Sequence, residues 1–310
     1  MSVGEFDLIH QAFRCKAPFI HSTTRVANGD DASVHALPAA YDLVVSTDMS
    51  MAGVHWPHDF PLKDAACRAV NAALSDLAAM GAEAAWLWCC AAVTDVQAAE
   101  QMGEGIAAAL ANCGIELAGG DTVRADTNSL SVTVAGMLPE ATAMRRDAAC
   151  VGDDVWLCGH AGLAAYALQQ WQQGQRSEDK IEAFRVITPQ LDVGIAIREM
   201  GVRCCIDVSD GLLADAGHLA AASALSVEIE AEKVPGFNAL CRFLSRNEAI
   251  PLLLTGGEDY ALLFTASANF REHLTALATC IGRCTSGAGV NAMLDGKKIE
   301  ISRRGYEHFS

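Results

Sequence analysis

Carboxylates next to glycines, at the ends of apolar runs, are the residues whose type and spacing could do chemistry in this chain. Gly29-Asp30-Asp31-Ala32 is one such segment. Ser46-Thr47-Asp48 closes the run Leu43–Val45, and Gly119-Gly120-Asp121-Thr122 closes Ile115–Ala118. Asp207-Val208-Ser209-Asp210-Gly211 follows Arg203–Ile206, and Gly256-Gly257-Glu258-Asp259-Tyr260 follows Leu252–Leu254. Taken singly, Asp beside Gly is ordinary turn chemistry. Repeated after successive apolar strands, it points to ligand binding, because ligands sit at strand ends in α/β folds and Gly lets the backbone approach them. Asp76 is a sixth case, at the margin of the apolar stripe of a helix, where an unpaired carboxylate is costly.

Carboxylates gathered in one place repel, and some must be protonated or neutralised. Lys and Arg are too scarce in these motifs to do so, and hard divalent cations fit better. Oxygen donors alone, from Asp with the Ser46 and Thr47 hydroxyls nearby, suit Mg²⁺ rather than zinc. Mg²⁺ in such sites bridges to substrate phosphates, which points to phosphoryl transfer from a nucleotide. The chain has no Gly-x-x-x-x-Gly-Lys-Ser/Thr, no protein-kinase catalytic loop, no Gly-x-Gly-x-x-Gly opening a helix and no Gly-x-Ser-x-Gly elbow. Phosphates must then be held by metal ions, glycine-loop amides and Arg146.

The elements that position these residues alternate in type. A helix is expected over Asp64–Met80, with Ala66, Val70, Ala73, Leu74 and Leu77 at helical spacing and Gly81 beyond its end. A second is expected over Gln97–Cys113, stopped by Gly114. Leu43–Val45, Trp86–Val93, Ile115–Ala118 and Ser129–Leu138 read as strands. A junction is expected near 139–152. Beyond it, Val155–Cys158, Arg203–Ile206, Val227–Ile229, Leu252–Leu254 and Leu262–Phe264 read as strands. Leu163–Trp171 and Leu212–Ala224 read as helices, and further helices flank Pro189. The expectation is two α/β domains, 1–140 and 141–310, with mixed sheets.

The 310 residues include 22 Lys+Arg and 38 Asp+Glu, a net charge of −16, which argues against a duplex nucleic-acid binder and against docking on an anionic membrane. With 51% apolar and 19% charged residues the chain is not disordered; aromatics are only 6%, so small residues must build much of the core. The longest apolar run, Ala84–Val93, is half the length of a membrane span of roughly twenty residues. Met1–Glu5 has no basic-then-apolar secretion pattern. The twelve cysteines form no Cys-x-x-Cys and read as reduced, cytoplasmic thiols.

At this point the motifs resemble those of the thiamine-monophosphate kinases, whose superfamily includes aminoimidazole-ribotide synthetase and selenophosphate synthetase. The resemblance starts at Gly4-Glu5-Phe6 and takes in every acidic motif above, with Gly53-Val54-His55-Trp56, Leu74-Ser75-Asp76-Leu77-Ala78-Ala79-Met80-Gly81-Ala82 and Gly305-Tyr306-Glu307-His308-Phe309. It implies ATP-dependent phosphorylation of thiamine monophosphate to thiamine diphosphate. It implies an aminoimidazole-ribotide-synthetase-like fold and a homodimer whose N-terminal sheets join into a barrel, with the site between domains. It implies several Mg²⁺ ions held by Asp31, Ser46, Thr47, Asp48, Asp76, Asp121, Asp207 and Asp210, of which Asp48, Asp76, Asp121 and Asp210 are the catalytic set. Gly120, Asp121, Arg146 and Ser209 would meet ATP; His55 and Glu258 would meet the thiamine phosphate. Trp56 stands where the family more often has Phe. Arg303 stands near the place of a family aromatic that lies against the substrate ring, and its plane could stack there while its charge would oppose a cationic thiazolium. Two other readings remain: a superfamily relative acting on another phosphorylated small molecule, and a non-catalytic nucleotide- and metal-binding regulator.

Overall fold

The computed structural model describes residues 5–301, 305 and 306. Arg303 and the Glu307-His308-Phe309 end of the last motif lie outside them. The described chain divides into two compact units, 1–77 with 82–141, and 78–81 with 142–310.

The first unit opens with helix α1 (Glu5–Ala12) and a small hairpin, β1 (Thr24–Val26) with β2 (Val34–His35). Four longer strands follow: β3 (Tyr41–Met51), β4 (Glu83–Val93), β5 (Glu116–Arg124) and β6 (Ser129–Pro139). They form one sheet in the order β3-β6-β4-β5, antiparallel except for the β4–β5 pair, so β3 and β5 are its edges among the described residues. Helix α2 (Leu62–Met80) buries its expected stripe, Ala66, Val70, Ala73, Leu74 and Leu77. It ends as Gly81 predicts: Gly81 N–H bonds Ala78 C=O, Ala82 N–H bonds Leu77 C=O, and Gly81 takes φ +72°. Helix α3 (Val96–Cys113) is capped by Asp95, whose carboxylate accepts the Ala98 N–H at 2.8 Å. Its glycines allow close backbone contact. A Cβ on Gly103 would lie 1.7 Å from Ala12 O, and one on Gly105 2.0 Å from Lys63 O, so backbones touch where larger side chains would hold them apart.

The second unit carries β7 (Asp154–Cys158), α4 (Leu163–Gln172), α5 (Glu178–Arg185), α6 (Leu191–Met200), β8 (Cys204–Val208), α7 (Leu212–Ala222) and β9 (Ser226–Glu230). Then come α8 (Phe237–Leu240), α9 (Arg246–Thr255), β10 (Ala261–Ala266), α10 (Arg271–Leu274), β11 (Thr279–Thr285), β12 (Gly289–Leu294) and β13 (Lys297–Ile299). The sheet order is β13-β12-β9-β11-β7-β10-β8, antiparallel except for β12 beside β9. Every residue of β7, β8 and β10 is buried, because apolar layers cover both faces. Along β7, Val155 and Leu157 enter one core cluster, while Trp156 and Cys158 enter the other.

Three expectations need correction. Leu252–Leu254 is not a strand but the end of α9, which begins in a Ser245–Glu248 capping box. Ser46-Thr47-Asp48 and Gly119–Thr122 lie within β3 and β5, not at the ends of shorter strands. Asp207 is likewise inside β8. Among the described residues no helix is long and apolar enough to cross a membrane.

Candidate active site

In a strand, side chains alternate between faces, so β3 sorts its own residues. Ser46 and Asp48 are half-buried on one face; Leu43, Val45, Thr47 and Met49 are exposed on the other. Helix α2 brings Asp76 against the first set, and the Ser46 hydroxyl donates to Asp76 Oδ2 at 2.5 Å, a short charge-assisted bond between residues thirty apart. Asp76 is half-buried beside the fully buried Ser75 and Leu77, at the stripe margin its spacing predicts. Thr47 departs from expectation. Its hydroxyl lies 2.9 Å from that of Thr133 on β6, on the face opposite Ser46, so only its main chain runs with the Ser46–Asp76 pair.

Asp121 owes its place to the irregular start of β5. The β4–β5 register steps from Leu87–Leu117 to Trp88–Gly119, leaving Ala118 as an extra residue. Gly120 follows at φ +156°, where a Cβ would stand 2.0 Å from the Cys89 carbonyl oxygen. The exposed Asp121 carboxylate accepts the Thr122 N–H at 2.8 Å. Asp31 is exposed on the connection between β1 and β2, its N–H bonded to Asp30 Oδ1 at 2.9 Å. His55, in the turn after β3, has its ring set by the Met51 N–H, which donates to Nδ1 at 3.1 Å.

In the second unit the β8–α7 junction carries the acids. Asp207 is buried, and Gly211 at φ +123° turns the chain into the helix. Asp215, in the first turn of α7, folds back to accept the Asp210 and Gly211 N–H groups at 3.1 and 3.2 Å. Burial, reinforced by the Asp207 and Asp210 carboxylates, pushes its carboxyl up to about 7. Ligand atoms of Asp210, Asp215 and the exposed His218 lie within 4.8 Å of one another. Sequence reading missed Asp215 and His218; their three-residue spacing, which puts both on one helix face, was the available signal.

The Gly256–Tyr260 loop is stitched to this junction: Glu258 N–H bonds Ser209 C=O and Tyr260 N–H bonds Val208 C=O, both at 2.8 Å. Glu258 and Tyr260 hold positive φ, +74° and +52°, and the Tyr260 hydroxyl lies 3.4 Å from Glu258 Oε2. Asp259 turns the other way. Its buried carboxylate accepts the Gly162 and Ala164 N–H groups at 2.6 and 3.0 Å, at the start of α4. Two adjacent acids thus have separate duties, one facing the Ser209 loop and one capping a helix. Gly305 packs so close to this junction that a Cβ there would lie 2.8 Å from Asp210 O, and Tyr306 N–H bonds the same carbonyl at 3.1 Å. Arg146 is exposed, with its main-chain carbonyl held by the Ser223 hydroxyl at 2.9 Å.

Two family domains match in series, the AIR synthase related protein N-terminal domain over residues 29–138 and its C-terminal domain over 151–300. Thiamine-monophosphate kinase of Escherichia coli K12 is 33% identical over 100% of this chain and 99% of its own length. That of Salmonella typhimurium LT2 is 32% identical over the same shares. The crystal structure of thiamine-monophosphate kinase from Stenotrophomonas maltophilia K279a superposes with a TM-score of 0.85 at 36% identity, covering 96% of this chain and 99% of the other. AaThiL complexed with AMPPCP and TMP superposes with a TM-score of 0.79 at 27% identity, covering 99% and 97%. With both domains matched and the relatives alike from end to end, this chain belongs to the thiamine-monophosphate kinase family of AIR synthase related proteins.

Proposed function

We propose that this chain transfers the γ-phosphoryl group of ATP to thiamine monophosphate, giving thiamine diphosphate by direct in-line displacement. The observation that carries the reading is the end-to-end likeness to a relative complexed with AMPPCP and TMP. The acceptor is a phosphate monoester with a second pKa of about 6, so its oxygen is ionised at neutral pH and needs no general base. The obstacle is charge: two unit charges at ~4 Å repel by about 4 kcal/mol at an effective dielectric of 20.

The donor set fits Mg²⁺. Ser46, Asp48 and Asp76 present hydroxyl and carboxylate oxygens, and Ser46 and Asp76 already stand 2.5 Å apart. In our reading Asp31, Ser46, Asp48, Asp76 and Asp121 hold cations from the first domain, 1–140, together with the Thr47 main chain. Asp207 and Asp210 do so from the second, 141–310. Bound Mg²⁺ supplies neutralisation of the two polyanions. The chain does the rest. Gly120 presents its main chain to a phosphate, Arg146 offers an exposed guanidinium, and Ser209 meets the nucleotide. His55 and Glu258 orient the thiamine phosphate, with Arg303 assigned beside them. The exposed apolar face of the edge strand β3, Leu43, Val45 and Met49, supports a homodimer in which two N-terminal sheets close into a barrel. The free state of all the cysteines supports a cytoplasmic setting.

Incubation with ATP, Mg²⁺ and thiamine monophosphate tests the activity. Thiamine diphosphate is the expected product. ATP turnover that needs another acceptor would replace this reading with that of a relative, and binding without turnover would replace it with that of a regulator.

A further inference from the structure

Asp31 sits on an exposed connection, yet both ends of that connection are tied to the sheet by a chain of polar contacts that runs from Glu116 Oε2 to Trp88, while Glu116 Oε1 is buried without a hydrogen-bond partner. Glu116, 1% exposed at the start of β5, accepts two hydrogen bonds at Oε2, from the His21 N–H at 2.9 Å and from the Thr24 hydroxyl at 2.5 Å. Thr24 is on β1, and its Oγ1 is also 2.9 Å from His35 Nδ1, on β2, and 3.1 Å from the Trp86 indole nitrogen. The single Thr24 hydrogen goes to Glu116, so His35 must donate from Nδ1 and Trp86 from its N–H. His35 Nε2 is then the acceptor for the Ser33 hydroxyl at 2.9 Å, and Ser33 Oγ receives the Trp88 N–H at 3.1 Å. Every hydrogen in the chain has one place, with His35 neutral. Burial holds the His35 pKa below its ordinary value, in agreement.

The geometry has a purpose beyond packing. Trp86 and Trp88 are two apart on β4 and so share a face, and Trp86 pairs in register with Glu116. The three side chains form a row on the sheet. That row grips the hairpin at Thr24, seven residues before Asp31, and at Ser33, two after it. The ring of His35 rests between both indoles, 4.6 and 5.5 Å away. Ser33 is held directly by Trp88, whereas the Asp31 side chain remains exposed.

We propose that Glu116 is a positioning residue for cation binding: through Thr24, His35 and Ser33, and with Trp88 at the far end, it fixes the loop that presents Asp31. This rests on the reading of Asp31 as a Mg²⁺ ligand. A carboxylate on a loose loop must lose conformational freedom when it takes a cation; one on a splinted loop has lost it on folding.

The test measures the Mg²⁺ concentration for half-maximal binding of a non-hydrolysable ATP analogue by calorimetry, together with amide exchange over residues 21–36. Glu116→Ala is expected to raise that concentration roughly tenfold and to speed exchange in the hairpin while β3–β6 amides stay protected. Glu116→Gln keeps one acceptor oxygen for His21 and Thr24 and is expected to stay close to the parent. Trp88→Phe, which removes the indole N–H while keeping a ring, is expected to act in the same direction as Glu116→Ala but more weakly. In an Asp31→Asn background Glu116→Ala is expected to add nothing further. Additive effects, or a Glu116→Ala protein with unchanged Mg²⁺ dependence, overturn the proposal while leaving the Asp31 reading standing. An Asp31→Asn protein with unchanged Mg²⁺ dependence overturns that reading, and the inference with it.

Discussion

Ser46 and Asp76 meet although one comes from a strand and the other from a helix thirty residues away. The contact leaves Asp76 one oxygen committed and one available, which suits a residue that shares a cation with neighbours. Asp76→Asn keeps the size and the hydrogen bond but removes the charge. It should lower turnover by roughly two orders of magnitude or more while leaving the circular dichroism spectrum and unfolding midpoint near those of the parent; near-parent turnover at saturating Mg²⁺ would contradict the assignment. Asp259 behaves differently because its carboxylate serves the start of α4. Asp259→Ala strands two amide groups, and a loss of about 1–3 kcal/mol is expected in urea unfolding. The two adjacent acids were indistinguishable in the sequence. What separates them is the positive φ of Glu258, which swings successive side chains apart, and a backbone angle of that kind leaves no mark on residue type when the position is not glycine.

At the level of elements, helices α2 and α3 were legible because apolar spacing and terminal glycines agreed with one another; the Asp95 cap of α3 is a further signal that the structure adds. The strands carrying the acids were read too short. In β3 an exposed edge strand places Thr47 and Met49 toward solvent and Ser46 and Asp48 inward, so the apolar signal fades after Val45 while the ladder to β6 continues to Met51. Helix α9 was misread because Leu252–Leu254 is a short apolar run with no period of its own; the capping box at Ser245 and Glu248 was the better guide. Glu116, Asp215 and His218 were passed over because their roles depend on partners from distant segments or on a helix turn beyond the motif. The β4–β5 pair makes its own prediction. Gly120→Ala would push a methyl to within 2.0 Å of Cys89 O, so the strands must part. A loss of about 2–3 kcal/mol is expected in urea unfolding, with weaker ATP binding. A fully stable variant would mean that β5 is free to shift.

For the whole molecule, each unit has its own sheet and its own apolar core, and each carries part of the proposed cation-binding set. The net charge of −16 is in keeping with that proposed set, since acids that hold cations need no basic partners. Subunit association is where the molecule as a whole can be tested. Val45→Asp puts a charge in the middle of the exposed face of β3. On the proposed dimer reading, sedimentation should shift from dimer in the parent to monomer in the variant with secondary structure unchanged; a dimer unaltered by the substitution would place the interface elsewhere, and a monomeric parent would overturn the dimer reading. The same strand sets a limit on how this enzyme can vary. Because its two sides take alternate residues, one residue deleted or inserted within the strand before Ser46 would exchange them, turning the proposed association surface inward and the proposed chelating oxygens outward in a single event.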